Sequence, residues 1–184
     1  MPNSPSSLQF YRPGLSSRQP DGSLSFSFSG WEGDQRFSGN QPILADDPDF
    51  PFWAWLHAHR GSFPRSFEKR FIPALRHSFQ AGHDRFVTPA DGIYLVTAEW
   101  SGPSRMLEQA FRSELAKRDP PLPFHCVETD SAEVDDLFPQ LRPFLHGYGE
   151  VIAFENGKCD LFDSRGIRNA DIPAFINSVY QSFP

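Results

Sequence analysis

One stretch in the middle of the chain, residues 93–105, constrains the fold more than any other. It opens with an apolar run typical of a short buried strand, continues through a Trp-Ser-Gly-Pro turn, and passes directly into a helical pattern. Gly102 lets the chain bend sharply, and Pro103 is favoured in a first helical turn, where its missing N–H costs nothing. The apolar residues that follow recur at every fourth position, at Leu107, Phe111 and Leu115. The pattern predicts a strand followed by an amphipathic helix that lies on a sheet.

The segment over residues 98–105 has the sequence Ala-Glu-Trp-Ser-Gly-Pro-Ser-Arg. It resembles the active-site segment of thioredoxin, Ala-Glu-Trp-Cys-Gly-Pro-Cys-Lys, with serine at both cysteine positions. Three later features resemble the same family in the same order: a strand ending in Asp over 124–130, an Asn-Gly hairpin over 151–158, and Gly166 before the last helix. The resemblance covers about residues 84–183. It implies an α/β thioredoxin-like fold, a central mixed sheet flanked by helices.

The resemblance also implies a division of the chain. A thioredoxin-like domain is expected over residues 63–184, which leaves residues 1–62 as an aromatic-rich N-terminal extension. Residues 1–22 are rich in Ser, Pro and Gly, which is typical of a loose lead-in. Strict alternation over 23–29 predicts a half-buried strand, and the turn after it predicts a return strand over 35–38.

Two helices are predicted before the central motif. Asp47 followed by proline is typical of a helix start and predicts a helix over 48–59. Apolar residues at spacing four predict a second helix over 64–81, kinked by Pro73 and placed where thioredoxin has its first helix. The first of these helices carries aromatic residues that are either core packing or a second interaction surface: Phe52, Trp53 and Trp55.

After the central motif the pattern predicts a strand, a short helix, a hairpin and a closing helix. Asn-Gly at 156–157 is a strong signal for a two-residue turn between two strands. The predicted bounds are 123–129 for the first strand, 131–138 for the short helix, 150–154 and 158–163 for the hairpin strands, and about residue 170 for the start of the closing helix.

Composition excludes some classes of function. The net charge is −6, and residues 84–184 carry 16 acidic against 9 basic residues. Such a domain repels a phosphate backbone, so nucleic acid is not an expected partner; the acidity serves solubility or favours a basic partner. No apolar run is long enough for a membrane span, and the first residues have no secretory pattern. A cytoplasmic location is therefore expected.

The resemblance implies a scaffold without redox chemistry. Thioredoxin chemistry needs a thiolate at the helix N-terminus and a resolving cysteine three residues on, and these positions hold Ser101 and Ser104. Three supporting positions of the family also differ: its buried Asp falls at Leu95, its Lys partner at Cys126, and its cis-proline at Gly149. No enzyme activity is expected. The alternative is a thiol-disulfide oxidoreductase, either with engineered serines or acting through Cys126 or Cys159.

The two cysteines are not expected to pair. In the thioredoxin-like strand order 1-3-2-4-5, Cys126 and Cys159 would lie on the third and fifth strands, with two strands between them. Neighbouring strands lie about 4.8 Å apart, so the separation is too large for a disulfide. Both are expected to be buried thiols that pack as small apolar side chains.

No cofactor or metal site is predicted. The cysteines and histidines lack metal-ligand spacing, and there is no phosphate loop or dinucleotide fingerprint. Ser101 is expected to cap the helix that follows it, or alternatively to hold an anion or a partner's carboxylate there.

The expected function is therefore binding of a protein or peptide partner, as a chaperone, adaptor or assembly factor. The candidate binding groove lies between the Trp100 turn and the loop before the fourth strand, where a partner backbone could pair. Its residues are Trp100, Ser101, Gly102, Pro103, Ser104, Arg105, Tyr148 and Gly149. The alternative is a fixed structural subunit of a larger complex that docks through the N-terminal extension.

Overall fold

The structure is a computed structural model that describes residues 9–64, 67–85, 87–163 and 166–182. The described residues form a mixed α/β structure with two four-stranded sheets and five α-helices. The chain divides into two compact units, residues 1–84 and 85–184. Among the described residues, no helix combines the length and the apolar character needed to cross a bilayer.

The N-terminal unit is built on an antiparallel sheet in the order β3-β2-β1-β4. Its strands are β1 (Gln9–Arg18), β2 (Leu24–Glu32), β3 (Gln35–Ile43) and β4 (Phe67–Glu68). The prediction of a loose lead-in is wrong from residue 9 onwards; residues 1–8 lie outside the described part. Residues 9–18 are a strand because Tyr11 is buried against Trp53 while its backbone pairs with β2. The return strand is confirmed and extends to Ile43.

Two helices complete this unit, α1 (Phe50–Ala58) and α2 (Phe71–Gln80). The first is the predicted helix, although Asp49 rather than Asp47 is its N-cap residue; Asp47 Oδ1 accepts a hydrogen bond of 2.8 Å from the Asp49 N–H. The second is shorter than predicted, because residues 67–68 pair with β1 as β4. Pro73 therefore lies in its first turn, where proline is tolerated, rather than at a mid-helix kink.

The aromatic residues of α1 form the core of the N-terminal unit. Phe52, Trp53 and Trp55 are only 2%, 4% and 9% exposed. Of the two alternatives predicted for these three residues, core packing is confirmed and a second interaction surface is wrong, because a short helix lying on a sheet buries its large side chains. Phe79 of α2 packs on the same cluster, with ring centroids 5.9 Å from Phe52 and 5.2 Å from Trp55. The predicted boundary after residue 62 consequently lies inside this unit, which ends at Asp84.

The C-terminal unit is built on a mixed sheet in the order β6-β5-β7-β8. The parallel pair is β5 with β6, and β7 is antiparallel to both β5 and β8. Its elements are β5 (Gly92–Thr97), α3 (Gly102–Leu115), β6 (Phe124–Glu128), α4 (Ala132–Leu137), β7 (Glu150–Glu155), β8 (Lys158–Asp163) and α5 (Ile172–Ser182). The predicted strand, turn and helix around residues 93–105 are confirmed. The predicted hairpin and closing helix are confirmed as well. Phe183, which was predicted to lie on the apolar face of that helix, is outside the described residues.

The core of this unit lies between the sheet and the apolar faces of α3 and α5. The predicted spacing of four holds, since Leu107, Phe111 and Leu115 are all buried there. Burying one such side chain contributes roughly 1.5–3 kcal/mol, so this face fixes α3 on the sheet. The hairpin turn has positive φ at both Asn156 (50°) and Gly157 (74°), which suits the right-handed twist of the flanking strands.

The two cysteines lie on strands at opposite edges of this sheet. Cys126 is on β6 and Cys159 on β8, with β5 and β7 between them, and neither is in a disulfide. Cys159 is buried as expected, whereas Cys126 is only partly buried. The strand order accounts for the absence of pairing.

Candidate functional site

The turn that follows β5 begins the candidate site. Ser101 is the N-cap residue of α3, with extended backbone at φ −95° and ψ 96°. Its carbonyl accepts a hydrogen bond of 3.1 Å from the Ser104 N–H. Ser101 thus occupies the predicted cap position, although its hydroxyl makes no capping hydrogen bond. The backbone and Ser104 close the first turn instead.

Ser104 is a structural serine. It is fully buried, and its Oγ accepts a hydrogen bond of 3.3 Å from the Ala98 N–H. The same oxygen lies 2.8 Å from the Ser101 carbonyl and 3.1 Å from the Ala98 carbonyl, which share its one hydrogen as acceptors. The hydroxyl therefore links the turn to the helix and is not placed to attack a substrate.

The tip of the turn is held by side chains on both sides of it. Glu128 at the end of β6 accepts the Glu99 N–H at 2.8 Å through Oε1. Arg105 donates from Nη2 to the Glu99 carbonyl at 2.6 Å. Trp100, next in the chain, leaves 62% of its surface exposed. The turn thus presents a large apolar ring on a constrained backbone.

The second half of the site is the loop of residues 146–149, which a buried carboxylate organises. Glu150, at the start of β7, has no exposed surface. Its Oε1 accepts the His146 N–H at 3.0 Å, and its Oε2 accepts the N–H groups of Gly147 and Tyr148 at 3.0 and 3.1 Å. Three amides on one carboxylate fix the path of the loop.

Sequence reasoning missed Glu150 as part of the site. The residue was included only as the first position of the predicted strand 150–154. A signal for it existed, because a tight Gly-rich loop contains several backbone N–H groups that need an acceptor. A lone acidic residue at the start of an otherwise apolar strand is a candidate for that acceptor.

Gly149 needs glycine for two reasons. Its φ is +91°, in the region that side chains disfavour, and a Cβ there would lie 2.3 Å from Leu107 Cδ1. Its N–H donates to the Val96 carbonyl at 3.2 Å. The position that the resemblance aligns with a cis-proline therefore has a conformation that proline, with φ near −65°, does not adopt.

The turn and the loop bring Trp100 and Tyr148 into contact. Their ring centroids lie 5.8 Å apart with an interplanar angle of 82°. Tyr148 is 60% exposed, and we refer to these two residues as the aromatic pair. His146 lies beside it, with its ring centroid 6.3 Å from that of Tyr148. Two residues predicted for one site from distant parts of the sequence therefore touch.

The other predicted site residues divide between surface and interior. The first turn of α3 exposes Gly102, Pro103 and Arg105, whereas Ser101 and Ser104 are buried. The secondary candidates Phe52, Trp53 and Trp55 belong to the core of the N-terminal unit. The site that remains is a surface around the aromatic pair.

The chemical groups of a dithiol site are not assembled here. Leu95 lies opposite Cys126 in the register of β5 and β6. Burial and the neighbouring Glu108, offset only in part by Arg112, raise the pKa of the Cys126 thiol to about 12. A thiol with this pKa is almost wholly protonated at neutral pH and is a poor nucleophile. Among the described residues, no three His, Cys, Asp or Glu side chains form a group suited to a metal ion.

The N-terminal unit contains a serine–histidine contact that sequence reasoning also missed. Ser16 Oγ lies 2.8 Å from His57 Nδ1, but the same oxygen is 2.6 Å from the Pro13 carbonyl, which accepts its hydrogen. Burial, together with the charges of Arg60 and Arg18, lowers the pKa of His57. Cationic neighbours oppose the imidazolium that a general base must become, so we assign this pair a structural role.

No family model, curated protein or solved structure matches this chain.

Proposed function

We propose that this chain is a thioredoxin-like protein without redox chemistry that acts by binding another protein, as a chaperone, adaptor or assembly factor. The order β6-β5-β7-β8 and its strand directions support the thioredoxin-like part of the proposal. They correspond to strands 3-2-4-5 of the thioredoxin order 1-3-2-4-5. The resemblance in the segment at residues 98–105 falls on the turn between β5 and α3, where that fold has its active site.

The observation that carries the binding function is the exposed aromatic pair. Trp100 and Tyr148 are each about three-fifths exposed although they touch one another. Tyr and Trp are enriched at protein interfaces because they combine a large apolar face with a polar end. Both sit on backbone that hydrogen bonds hold in place, so little ordering entropy would be lost on binding.

The polar groups beneath the pair support a binding role over a catalytic one. Ser104 uses its hydroxyl to join the turn to α3, and Glu150 uses both carboxylate oxygens to hold the loop. Both side chains are fully buried, so neither is presented at the surface to a substrate. The thiol of Cys126 has a raised pKa, which weighs against the alternative of a relocated thiol chemistry.

The test is affinity capture from the native host with and without reductant, read by mass spectrometry. Three baits are compared: wild type, Trp100→Ala/Tyr148→Ala, and Trp31→Ala as a control at an exposed tryptophan of the N-terminal unit. We expect one stoichiometric partner that is insensitive to reductant, lost in the double variant and retained in the control. All three baits should give the same far-ultraviolet circular dichroism, because the substituted side chains are exposed.

Two results would sink the proposal. A partner retained by the folded double variant would show that the aromatic pair is not the binding surface. A broad set of proteins released by reductant would indicate thiol chemistry through Cys126 or Cys159 instead.

A further inference from the structure

The aromatic pair carries two hydrogen-bond donors that the described residues leave unused. Among the described residues, neither Trp100 Nε1 nor Tyr148 Oη takes part in a hydrogen bond, and both side chains are strongly exposed. Trp offers one donor at this position, and Tyr offers a hydroxyl that can donate or accept. A partner that presents acceptors next to an apolar surface would satisfy both.

The backbone N–H groups of Tyr148 and Gly149 are already paired, which limits how a partner can bind. The Tyr148 N–H donates to Glu150 Oε2 at 3.1 Å, and the Gly149 N–H donates to the Val96 carbonyl at 3.2 Å. The Tyr148 carbonyl faces Gly166, where an added Cβ would lie 2.5 Å from its oxygen. Strand addition needs unpaired N–H and C=O groups along an edge. The expected backbone pairing at this loop is therefore unfavourable, and recognition falls to side chains.

A partner segment in polyproline II conformation fits these constraints. Such a segment has no internal hydrogen bonds, and its carbonyls are available to donors on another protein. Recognition of these segments uses aromatic surfaces on which proline rings pack. The rings of the aromatic pair stand at 82° to each other, with centroids 5.8 Å apart, and so form an aromatic corner in which each side chain carries one donor.

The charge around the corner selects among such segments. Glu99 and Asp130 are exposed beside the turn and the end of β6, and Glu128 is partly exposed between them. Arg105, a cation in the first turn of α3, has its guanidinium bound to the Glu99 carbonyl. Residues 84–184 as a whole carry 16 acidic and 9 basic residues, so their net charge is also negative. A partner with basic flanking residues is favoured by this field.

We propose that the aromatic pair binds a proline-rich segment in polyproline II conformation flanked by Lys or Arg. This inference rests on the proposed protein-binding function and names the class of its partner. The indole N–H of Trp100 and the hydroxyl of Tyr148 donate to carbonyls of the segment. The proline rings occupy the corner between the two side chains.

The test begins with selection of short random peptides displayed on phage against the full chain. The enriched peptides are then synthesised, and their affinity is measured by fluorescence anisotropy at low and high salt. We expect enrichment of proline at positions three apart, with Lys or Arg at the flanks, and weaker binding at high salt. Trp100→Phe and Tyr148→Phe keep the rings and remove one donor each, so each should weaken binding about three- to tenfold. Trp31→Phe is the matched control and should change nothing.

The outcomes separate this inference from the proposed function. Enriched peptides without proline, or with acidic flanks, that lose binding in Trp100→Ala/Tyr148→Ala would overturn the polyproline inference and leave the binding function standing. So would wild-type affinity in both phenylalanine variants. Peptides that bind the folded double alanine variant equally well, or no enrichment over a surface without the protein, would count against both.

Discussion

Two of the aromatic clusters in the described residues lie in opposite environments. The cluster of Phe52, Trp53 and Trp55 on α1 is buried against the sheet of the N-terminal unit, while Trp100 and Tyr148 are exposed. In the first, a helix lies along a sheet and the aromatic rings fill the space between them. In the second, the rings stand on a turn and a loop, each fixed by hydrogen bonds to a glutamate. Side-chain type alone does not identify a surface; the element that carries the side chain decides.

The largest effect is expected from breaking the buried cluster. Trp53→Ala removes a ring that contacts Phe26, Tyr11 and Phe52 at centroid distances of 4.9, 5.6 and 5.3 Å. Truncation of a buried Trp should cost about 3–5 kcal/mol in the free energy of unfolding of the N-terminal unit. Chemical denaturation measures it, with Trp31→Ala expected to stay within about 0.5 kcal/mol. Equal effects of the two substitutions would mean that the cluster is not core.

A smaller but still large effect is expected where the exposed pair meets the core. Gly149→Ala puts a Cβ 2.3 Å from Leu107 Cδ1 at a residue with φ of +91°. Strain and overpacking together should cost about 3 kcal/mol in the C-terminal unit. Gly102→Ala is the matched control, because a Cβ there has no heavy atom within 4 Å. If Gly149→Ala unfolded at the wild-type midpoint, the loop would be able to move away from α3 without any loss in the free energy of unfolding.

The next substitution sharpens the comparison, because it weakens the loop that holds Tyr148 against Trp100 without changing either aromatic side chain. Glu150→Gln keeps the shape of the side chain but replaces one of the two acceptor oxygens with an NH₂ group that faces a backbone N–H. The loss of one or two of the three amide hydrogen bonds should cost about 1–3 kcal/mol and disturb the contact of Tyr148 with Trp100. Denaturation, together with the indole NMR signal of Trp100, reports both. Glu155→Gln, at the partly exposed other end of β7, should leave both unchanged.

How much of the fold and of the candidate site could be predicted from the sequence depends on how far apart in the chain the interacting residues lie. The strand, turn and helix at residues 93–105 and the Asn-Gly hairpin were predictable because periodicity and turn chemistry are local. The predicted proximity of Trp100 and Tyr148 depended on the resemblance, which relates distant segments. Strand β1 and the boundary at Asp84 were not predictable locally, because both depend on pairing between residues 9–18 and 67–68. The role of Glu150 also needed the folded path of the loop.

The smallest effect concerns chemistry rather than packing. It tests the alternative that a reactive thiol, and not the aromatic pair, is the functional group of the C-terminal unit. The pKa of Cys126 is raised from 9.0 to about 12, chiefly by burial. At pH 8 its alkylation by iodoacetamide should therefore be at least about tenfold slower in the native than in the unfolded protein, followed by mass spectrometry of the Cys126 peptide.

The same shift fixes the direction of a pH dependence. Because the unfolded thiol ionises first, the stability that protonated Cys126 contributes is fully present below pH 9.0 and is lost as the pH rises towards about 12. Cys126→Ser should lack this part of the alkaline destabilisation and otherwise unfold like wild type. Fast alkylation of native Cys126 at pH 8, or identical alkaline profiles for the two proteins, would show a thiolate available at the sheet edge. The contrast between a buried and an exposed aromatic cluster would then be an incomplete basis for the proposed binding function, because a reactive thiol would have to be added to it.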